Sequence, residues 1–171
     1  MIYKFRLISP EVDGFYMDVE IDENQSFLDF HNTIQDAAKY DRSQMASFFL
    51  SNEKWEKVHE ITLLDMTDDD IAKITLMEES IMTDFIVEKR QKLLYVFDFF
   101  SERAFFIELL DIVRPNGLIN YPVCSTIMGA PPMQIIINDD DLHAYLQRSE
   151  NEDDFNGDLN YNIDDLDQYP N

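Results

Sequence analysis

Three polar side chains stand in otherwise apolar segments, where a functional group is unusual. His31 lies in "SFLDFHNTIQDAA", and Asp98 and Glu108 lie in "LLYVFDFFSERAFFIELL". Because the second segment is typical of two paired strands, its carboxylates could meet as a general acid and base. Alternatively, each carboxylate lies at a sheet edge or accepts from a backbone N–H, and His31 is a partly buried core residue. A small-ligand pocket between helix and sheet would contain His31, Asp98 and Glu108.

Other catalytic patterns do not occur in the sequence. Its four glycines, at 14, 117, 129 and 157, cannot form a dinucleotide fingerprint or a P-loop. Cys124 is the single cysteine and has no neighbouring cation in the sequence that would lower its pKa. His59 and His143 lie among charged residues, and no nucleophile–base triad is evident. The sequence therefore favours a protein that is not an enzyme, and it predicts no cofactor.

One acidic stretch resembles a calcium loop. Oxygen-bearing side chains alternate as at positions 1, 3, 5 and 7 of such a loop: Asp154, Asn156, Asp158 and Asn160. The sixth position is Leu159 instead of glycine, and the twelfth is Asp165 instead of glutamate. We therefore predict no metal site there.

The charge of the chain is strongly and unevenly negative. The net charge is −22, from 35 acidic and 13 basic residues, and residues 138–171 contain 11 of the acids but only Arg148 as a base. Such a charge repels phosphate backbones, so direct binding of nucleic acid is not expected. The excess of acid either maintains solubility or attracts a basic partner.

Periodicity predicts the first half of the fold. Ile2–Ile8 and residues 15–21 alternate apolar and polar side chains, which predicts an antiparallel hairpin. A helix is predicted to begin after Ser26, with Asp29 completing a capping box, and to end near Tyr40.

Further strands are predicted over residues 45–50, 61–66, 93–100 and 104–113, and short helices after Thr67 and Ser80. The segment 93–100 is apolar on both faces, which is typical of a central strand covered on both sides. We expect an α+β fold with a mixed or antiparallel sheet, packed helices and a β-β-α-β opening like that of β-grasp domains. That analogy carries no function.

The chain divides by composition into two parts. Residues 1–137 are predicted to form the α+β domain, and residues 138–171 an acidic, flexible appendage with a short helix over residues 139–148. The sequence contains no apolar run of membrane-spanning length and no secretory leader, so we expect a cytoplasmic protein without membrane contact.

Four segments together resemble a known family. They are "SFLDFHNTIQDAA", "LLYVFDF", Tyr121-Pro122-x-Cys124 and Ala130-Pro131-Pro132. Their order and spacing are similar to those of the plasmid pRiA4b ORF-3-like family, whose members are also described as transposon passenger proteins. The resemblance covers most of residues 1–132 and implies a fold far more than an activity.

The chain departs from the pattern of that family after Asp98-Phe99. The family typically continues Gly-Asp-x-Trp, with a histidine two residues later; here the corresponding residues are Phe100, Ser101, Arg103 and Phe105. After Pro131-Pro132, "MQIII" replaces an acidic residue and a cysteine with a glycine pair. A metal or catalytic role based on those residues is therefore not implied for this diverged branch.

We expect a non-enzymatic interaction protein whose acidic surface and tail engage a protein partner. Spaced aromatic and aliphatic residues in the tail favour docking on a basic surface. One alternative is a small-ligand-binding protein or enzyme with a pocket near Asp98. Another is an accessory protein of mobile DNA that acts through a protein partner or by DNA mimicry.

Overall fold

The computed structural model describes residues 1–65 and 74–136. The described residues form seven strands and two helices: β1 (Ile2–Ile8), β2 (Tyr16–Asp22), α1 (Phe27–Ala38), β3 (Ser47–Ser51), β4 (Lys57–Thr62), α2 (Met82–Phe85), β5 (Lys92–Asp98), β6 (Arg103–Val113) and β7 (Val123–Met128). The predicted helices after Thr67 and over residues 139–148 lie outside the described residues, wholly or in large part. So does the calcium-like stretch.

The strands form one sheet in the order β4-β3-β5-β6-β1-β2-β7, and every pair of neighbouring strands is antiparallel. The predicted α+β class is confirmed. The β-β-α-β opening is present in the chain, but β6 and β5 lie between β1 and β3 in the sheet. The two most apolar strands thus take the centre, where both faces of a sheet can be covered.

The first hairpin forms as predicted. Ile2 pairs with Asp22 and Ile8 with Tyr16, so β1 and β2 are in register along their whole length. Alternation along β1 buries Tyr3, Phe5 and Leu7 in the core. These residues form part of the apolar surface on which α1 packs.

A capping box begins α1, as its sequence predicts. The Ser26 Oγ accepts from the Asp29 N–H at 3.1 Å, and the Asp29 carboxylate accepts from the Ser26 N–H at 2.9 Å. The helix ends at Ala38 because Lys39 takes a left-handed conformation with φ 59°.

The buried face of α1 is aromatic. Phe30 stacks on Phe5 of β1 and Phe48 of β3, with ring centroids 5.0 and 5.1 Å apart. Full burial of such a side chain contributes about 1.5–3 kcal/mol. This packing fixes the helix over the middle of the sheet, and with it His31 and Gln35.

Strand β5 lies between β3 and β6, and its residues 93–97 are all buried. Consecutive strand residues point to opposite faces, so both faces are covered here, as predicted. The strand ends at Asp98, two residues earlier than predicted, because the chain turns there towards β6.

Several local predictions were wrong. No strand is predicted over residues 123–128, yet they form β7, whose side chains are all half-buried or exposed. Strand β4 begins at Lys57, four residues before the predicted strand, because backbone pairing with β3 extends through charged residues. Ser80 does not cap α2: its hydroxyl donates to the Leu76 carbonyl at 2.7 Å.

Candidate functional site

His31 lies on the buried face of α1 and is 1% exposed. Its Nδ1 lies 2.8 Å from the Tyr95 hydroxyl on β5, and the Gln35 amide nitrogen donates to the same hydroxyl at 2.5 Å. The imidazole, the phenol and the amide thus form one buried hydrogen-bonded network, in which the tautomer of His31 decides whether the phenol or Nδ1 donates.

Burial shifts the pKa values of both rings away from neutral pH, where neither ring then exchanges a proton readily. It lowers the pKa of His31 to about 4 and raises the pKa of Tyr95 above its usual range. The Gln35 Oε1 atom is also buried, and it has no hydrogen-bond partner among the described residues. The network is a rigid polar link between α1 and β5 that keeps one unused acceptor.

Asp98 ends β5 and shapes the turn that follows. Its Oδ1 accepts from the N–H of Phe100 at 3.0 Å and from that of Ser101 at 3.2 Å. Its Oδ2 lies 3.6 Å from Arg103. Asp98 thus accepts from backbone N–H groups, which is one of the two alternatives left open by the sequence.

Glu108 lies far from Asp98 along the same hairpin. The register pairs Asp98 with Arg103 but Glu108 with Lys92, so the two carboxylates lie at opposite ends of β5. Six residues of strand separate them by about 20 Å. The acid–base pair that the sequence allowed does not form.

Glu108 also lies on the face of the sheet away from α1, because its neighbours Ile107 and Leu109 belong to the core. It forms an ion pair of 3.2 Å with Arg90. The structure therefore does not bring His31, Asp98 and Glu108 into one pocket.

Arg103 is the centre of a polar cluster that our sequence reasoning missed. It is 8% exposed, and its Nε and Nη2 atoms contact the Glu11 carboxylate at 3.0 and 2.8 Å. Its Nη2 and Nη1 atoms donate to the carbonyls of Met133 at 2.5 Å and Gln134 at 3.1 Å. A guanidinium has the planar set of donors that this arrangement requires.

The segment 132–134 is also held from the end of α1. The Tyr40 hydroxyl donates to the Pro132 carbonyl at 2.6 Å, and burial raises the pKa of Tyr40, so this donor keeps its proton. The Gln134 side-chain amide pairs with the Asp41 backbone through bonds of 2.6 and 3.0 Å. We call Arg103, Glu11, Tyr40 and the segment 132–134 the Arg103 clamp.

The turn between β5 and β6 exposes two aromatic side chains. Phe99 is 41% exposed and Phe100 is fully exposed. Glu102 completes the turn in a left-handed conformation, with φ 51°. We call residues 99–102 the aromatic tip.

A model of the plasmid pRiA4b ORF-3-like protein family matches residues 12–156. The chain belongs to this family. The resemblance of its helix, central strand and Pro-Pro segment is thereby confirmed, and the match extends into the acidic region. No curated protein matches the chain.

The fold also occurs in a solved structure, that of MM3350, a protein of unknown function from Methanosarcina mazei Go1. The two chains are 19% identical, with a TM-score of 0.62, and the alignment covers 87% of this chain and 79% of that one. At this identity the similarity concerns the fold alone.

The structure shows the surroundings of three residues at which this pRiA4b ORF-3-like protein departs from the pattern that the resemblance implies. Phe105 is fully buried, with its ring 4.9 Å from that of Phe97 and 5.7 Å from that of Phe15. Arg103 anchors the clamp, and Phe100 extends into solvent. The three residues therefore differ in environment: Phe105 lies in the core, Arg103 in the clamp and Phe100 in solvent.

Within residues 1–65 and 74–136, no three His, Cys, Asp or Glu side chains come together as metal ligands. None of the helices described there is long and apolar enough to cross a membrane. Cys124 lies in β7, where burial raises the pKa of its thiol and its Sγ contacts the Thr126 carbonyl at 3.3 Å.

Proposed function

We propose that this member of the pRiA4b ORF-3-like family is a non-catalytic binding protein that engages a basic surface of a partner protein. The observation that carries this proposal is the pairing of its cations. Within residues 1–65 and 74–136, seven basic side chains form ion pairs with carboxylates: Lys4, Arg6, Arg42, Lys89, Arg90, Lys92 and Arg103.

This pairing determines which charges remain available to a partner. Because the net charge is −22 and these seven cations are already neutralised, the charges left over are overwhelmingly carboxylates. A field of one sign steers an oppositely charged surface and accelerates its association. It repels nucleic acid, so a protein is the better partner.

The side chains best suited to chemistry have structural partners instead. His31 is hydrogen-bonded to Tyr95 inside the core, and Asp98 fixes the turn after β5. A general base needs access to a substrate proton, which a histidine that is 1% exposed lacks. This supports binding over catalysis.

The test uses the full-length chain with two variants of residues 150–167. In the neutral variant, each Asp and Glu of this segment is replaced by Asn or Gln; in the control, the same residues are shuffled and the charge is unchanged. We expect the partner captured by the wild-type chain to dissociate as salt rises from about 50 mM to about 500 mM, because salt screens surface charges.

The two variants then separate charge from sequence. The shuffled chain should keep the partner, and the neutral chain should bind it at least about tenfold more weakly. Equal binding by the neutral chain, or binding that is insensitive to salt, would overturn the proposal. Tight binding of duplex DNA by the purified chain would also count against it.

A small-ligand site is a second candidate, and one observation favours it. The buried Gln35 Oε1 has no hydrogen-bond partner among the described residues, although His31 and Tyr95 lie beside it. A buried acceptor of this kind is normally satisfied, so a small donor molecule or a water would be stabilised there. A ligand whose thermal shift is lost in Gln35→Met, with the fold retained, would support this candidate.

A further inference from the structure

We propose that the aromatic tip, residues 99–102, is the docking element, and that Phe100 inserts into an apolar cleft of the partner that is bordered by Lys or Arg. The inference rests on the proposed function and names the surface and the partner chemistry. Phe100 is fully exposed and Phe99 is 41% exposed, on consecutive residues of one turn. An inserted aromatic ring buries about 150–250 Å² and is a typical hot spot of protein interfaces.

The tip is held in one conformation before any partner binds. The Asp98 carboxylate accepts from the Phe100 and Ser101 N–H groups at 3.0 and 3.2 Å, and it is paired with Arg103 at the start of β6. A loop that is ordered in advance loses less conformational entropy on binding. Phe100 is thus presented by a rigid turn without packing on its own fold.

The charges next to the tip determine the kind of cleft that fits it. Glu102 belongs to the tip, and the carboxylates of Asp98 and Glu11 lie at its base. The cation at that base, Arg103, is 8% exposed and already paired with both. The three carboxylates outnumber this one guanidinium, so a cleft with basic walls complements the tip. A guanidinium of the partner can pair with the exposed Glu102 carboxylate and also stack on the ring of Phe100.

The same charges disfavour two other contacts of an exposed aromatic turn, with a second copy of the chain or with a lipid surface. In a tip-to-tip dimer, two chains with a net charge of −22 each would bring their acidic rims together. An anionic lipid surface would repel the chain for the same reason. A basic protein is the occupant that the charge favours.

The first step of the test maps the contact in the full-length chain. p-Benzoylphenylalanine is introduced at position 100 and, as a control, at position 118, because Leu118 is 95% exposed and lies outside the tip. We expect light to cross-link position 100, but not position 118, to a protein whose modified peptide lies next to Lys or Arg. Absence of a cross-link at position 100, or equal cross-linking at both positions, would overturn the inference.

The second step measures affinity for that partner in purified form. Phe100→Ser should raise the Kd at least about tenfold, whereas Leu118→Ser should change it less than about twofold. Both variants should unfold at the wild-type urea concentration, because neither side chain is buried.

The outcomes separate the inference from the proposed function. If the partner binds in a salt-sensitive way but Phe100→Ser binds as tightly as the wild type, the tip is not the docking element and the proposed function stands. If binding is insensitive to salt, or is unchanged by neutralisation of residues 150–167, the proposed function is wrong. If the wild type binds phosphatidylcholine–phosphatidylglycerol vesicles and Phe100→Ser does not, the tip contacts lipid. If the wild type sediments as a dimer and Phe100→Ser does not, the tip contacts a second copy of the chain.

Discussion

Replacing Arg103 by methionine tests the Arg103 clamp most directly. Methionine keeps most of the apolar stem but removes the guanidinium, which contacts Glu11 and donates to the carbonyls of Met133 and Gln134. Those partners lie 30 or more residues away in the chain. The substitution therefore tests a tertiary connection and leaves the local strand propensity almost unchanged.

The expected cost follows from the exposure of each partner. The two hydrogen bonds to carbonyls contribute about 1 kcal/mol each in net terms, because the segment regains water when it detaches. Glu11 is 29% exposed in its side chain, so solvent screens the ion pair and reduces its contribution to about 0.5–1 kcal/mol. We expect Arg103→Met to lower the free energy of unfolding by about 3 kcal/mol.

Glu11→Gln is the matched control, because it removes the charge of the ion pair but leaves the carbonyl hydrogen bonds in place. It should cost no more than about 1 kcal/mol in urea denaturation of the full-length chain at constant m-value. Limited proteolysis should show faster cleavage at residues 132–134 in Arg103→Met only. If the two variants lose equal stability and are cleaved equally, the carbonyl contacts contribute nothing and our reasoning is refuted.

Three further predictions concern single polar groups. The pKa of His31 is about 4 in the folded chain and its ordinary value is 6.5, so the unfolded chain takes up the proton first as pH falls. The free energy of unfolding should therefore decline between pH 6.5 and pH 4, by up to about 1.4 kcal/mol per pH unit. Urea denaturation of His31→Asn should lack this component of the pH dependence. Ser26→Ala removes the cap of α1 and should cost about 1 kcal/mol in the same assay, whereas Ser26→Asp should cost much less. Asp98→Ala leaves two N–H groups without their acceptor and should lower the free energy of unfolding by about 1–2 kcal/mol. Asp98→Asn keeps an acceptor and should stay within about 1 kcal/mol of the wild type; thermal unfolding measures both.

The parts of the fold that were predicted correctly are those encoded by local pattern. Alternation fixes which side of β1 is buried, and the Ser26–Asp29 spacing fixes where α1 begins. Strand β7 was not predicted because an edge strand needs one apolar face at most. Half-buried residues such as Cys124 give only a weak alternation of apolar and polar side chains. The start of β4 depends on backbone pairing with β3, which side-chain periodicity does not report.

The candidate site was predictable only in part, for a related reason. Sequence reasoning identified Asp98 as unusual and offered two explanations, of which the hydrogen bonds to Phe100 and Ser101 match one. The separation of Asp98 from Glu108 follows from hairpin register, which depends on where the turn begins. Arg103 gave one available signal, a cation between two apolar runs, but its partners are too distant in the chain to be inferred.

One departure from the family pattern, Phe105, contributes to the packing of the core. The resemblance to the family implies a histidine at the position of Phe105, which here is fully buried beside Phe97 and Tyr95. An imidazole there would need a hydrogen-bond partner, yet the Tyr95 hydroxyl is already engaged by His31 and Gln35. Phenylalanine removes that requirement and fills the core.

The other two changes alter what the hairpin contacts and what it exposes. Arg103, in place of the family's tryptophan, satisfies the carbonyls of the segment 132–134 and takes up the charge of Glu11. Phe100, in place of a glycine, adds a large apolar side chain where the fold gives it nothing to pack against. Exposure of such a side chain has no benefit for stability, since burial is what stabilises aromatic groups. We propose that a binding partner covers Phe100, and cross-linking at position 100 tests this.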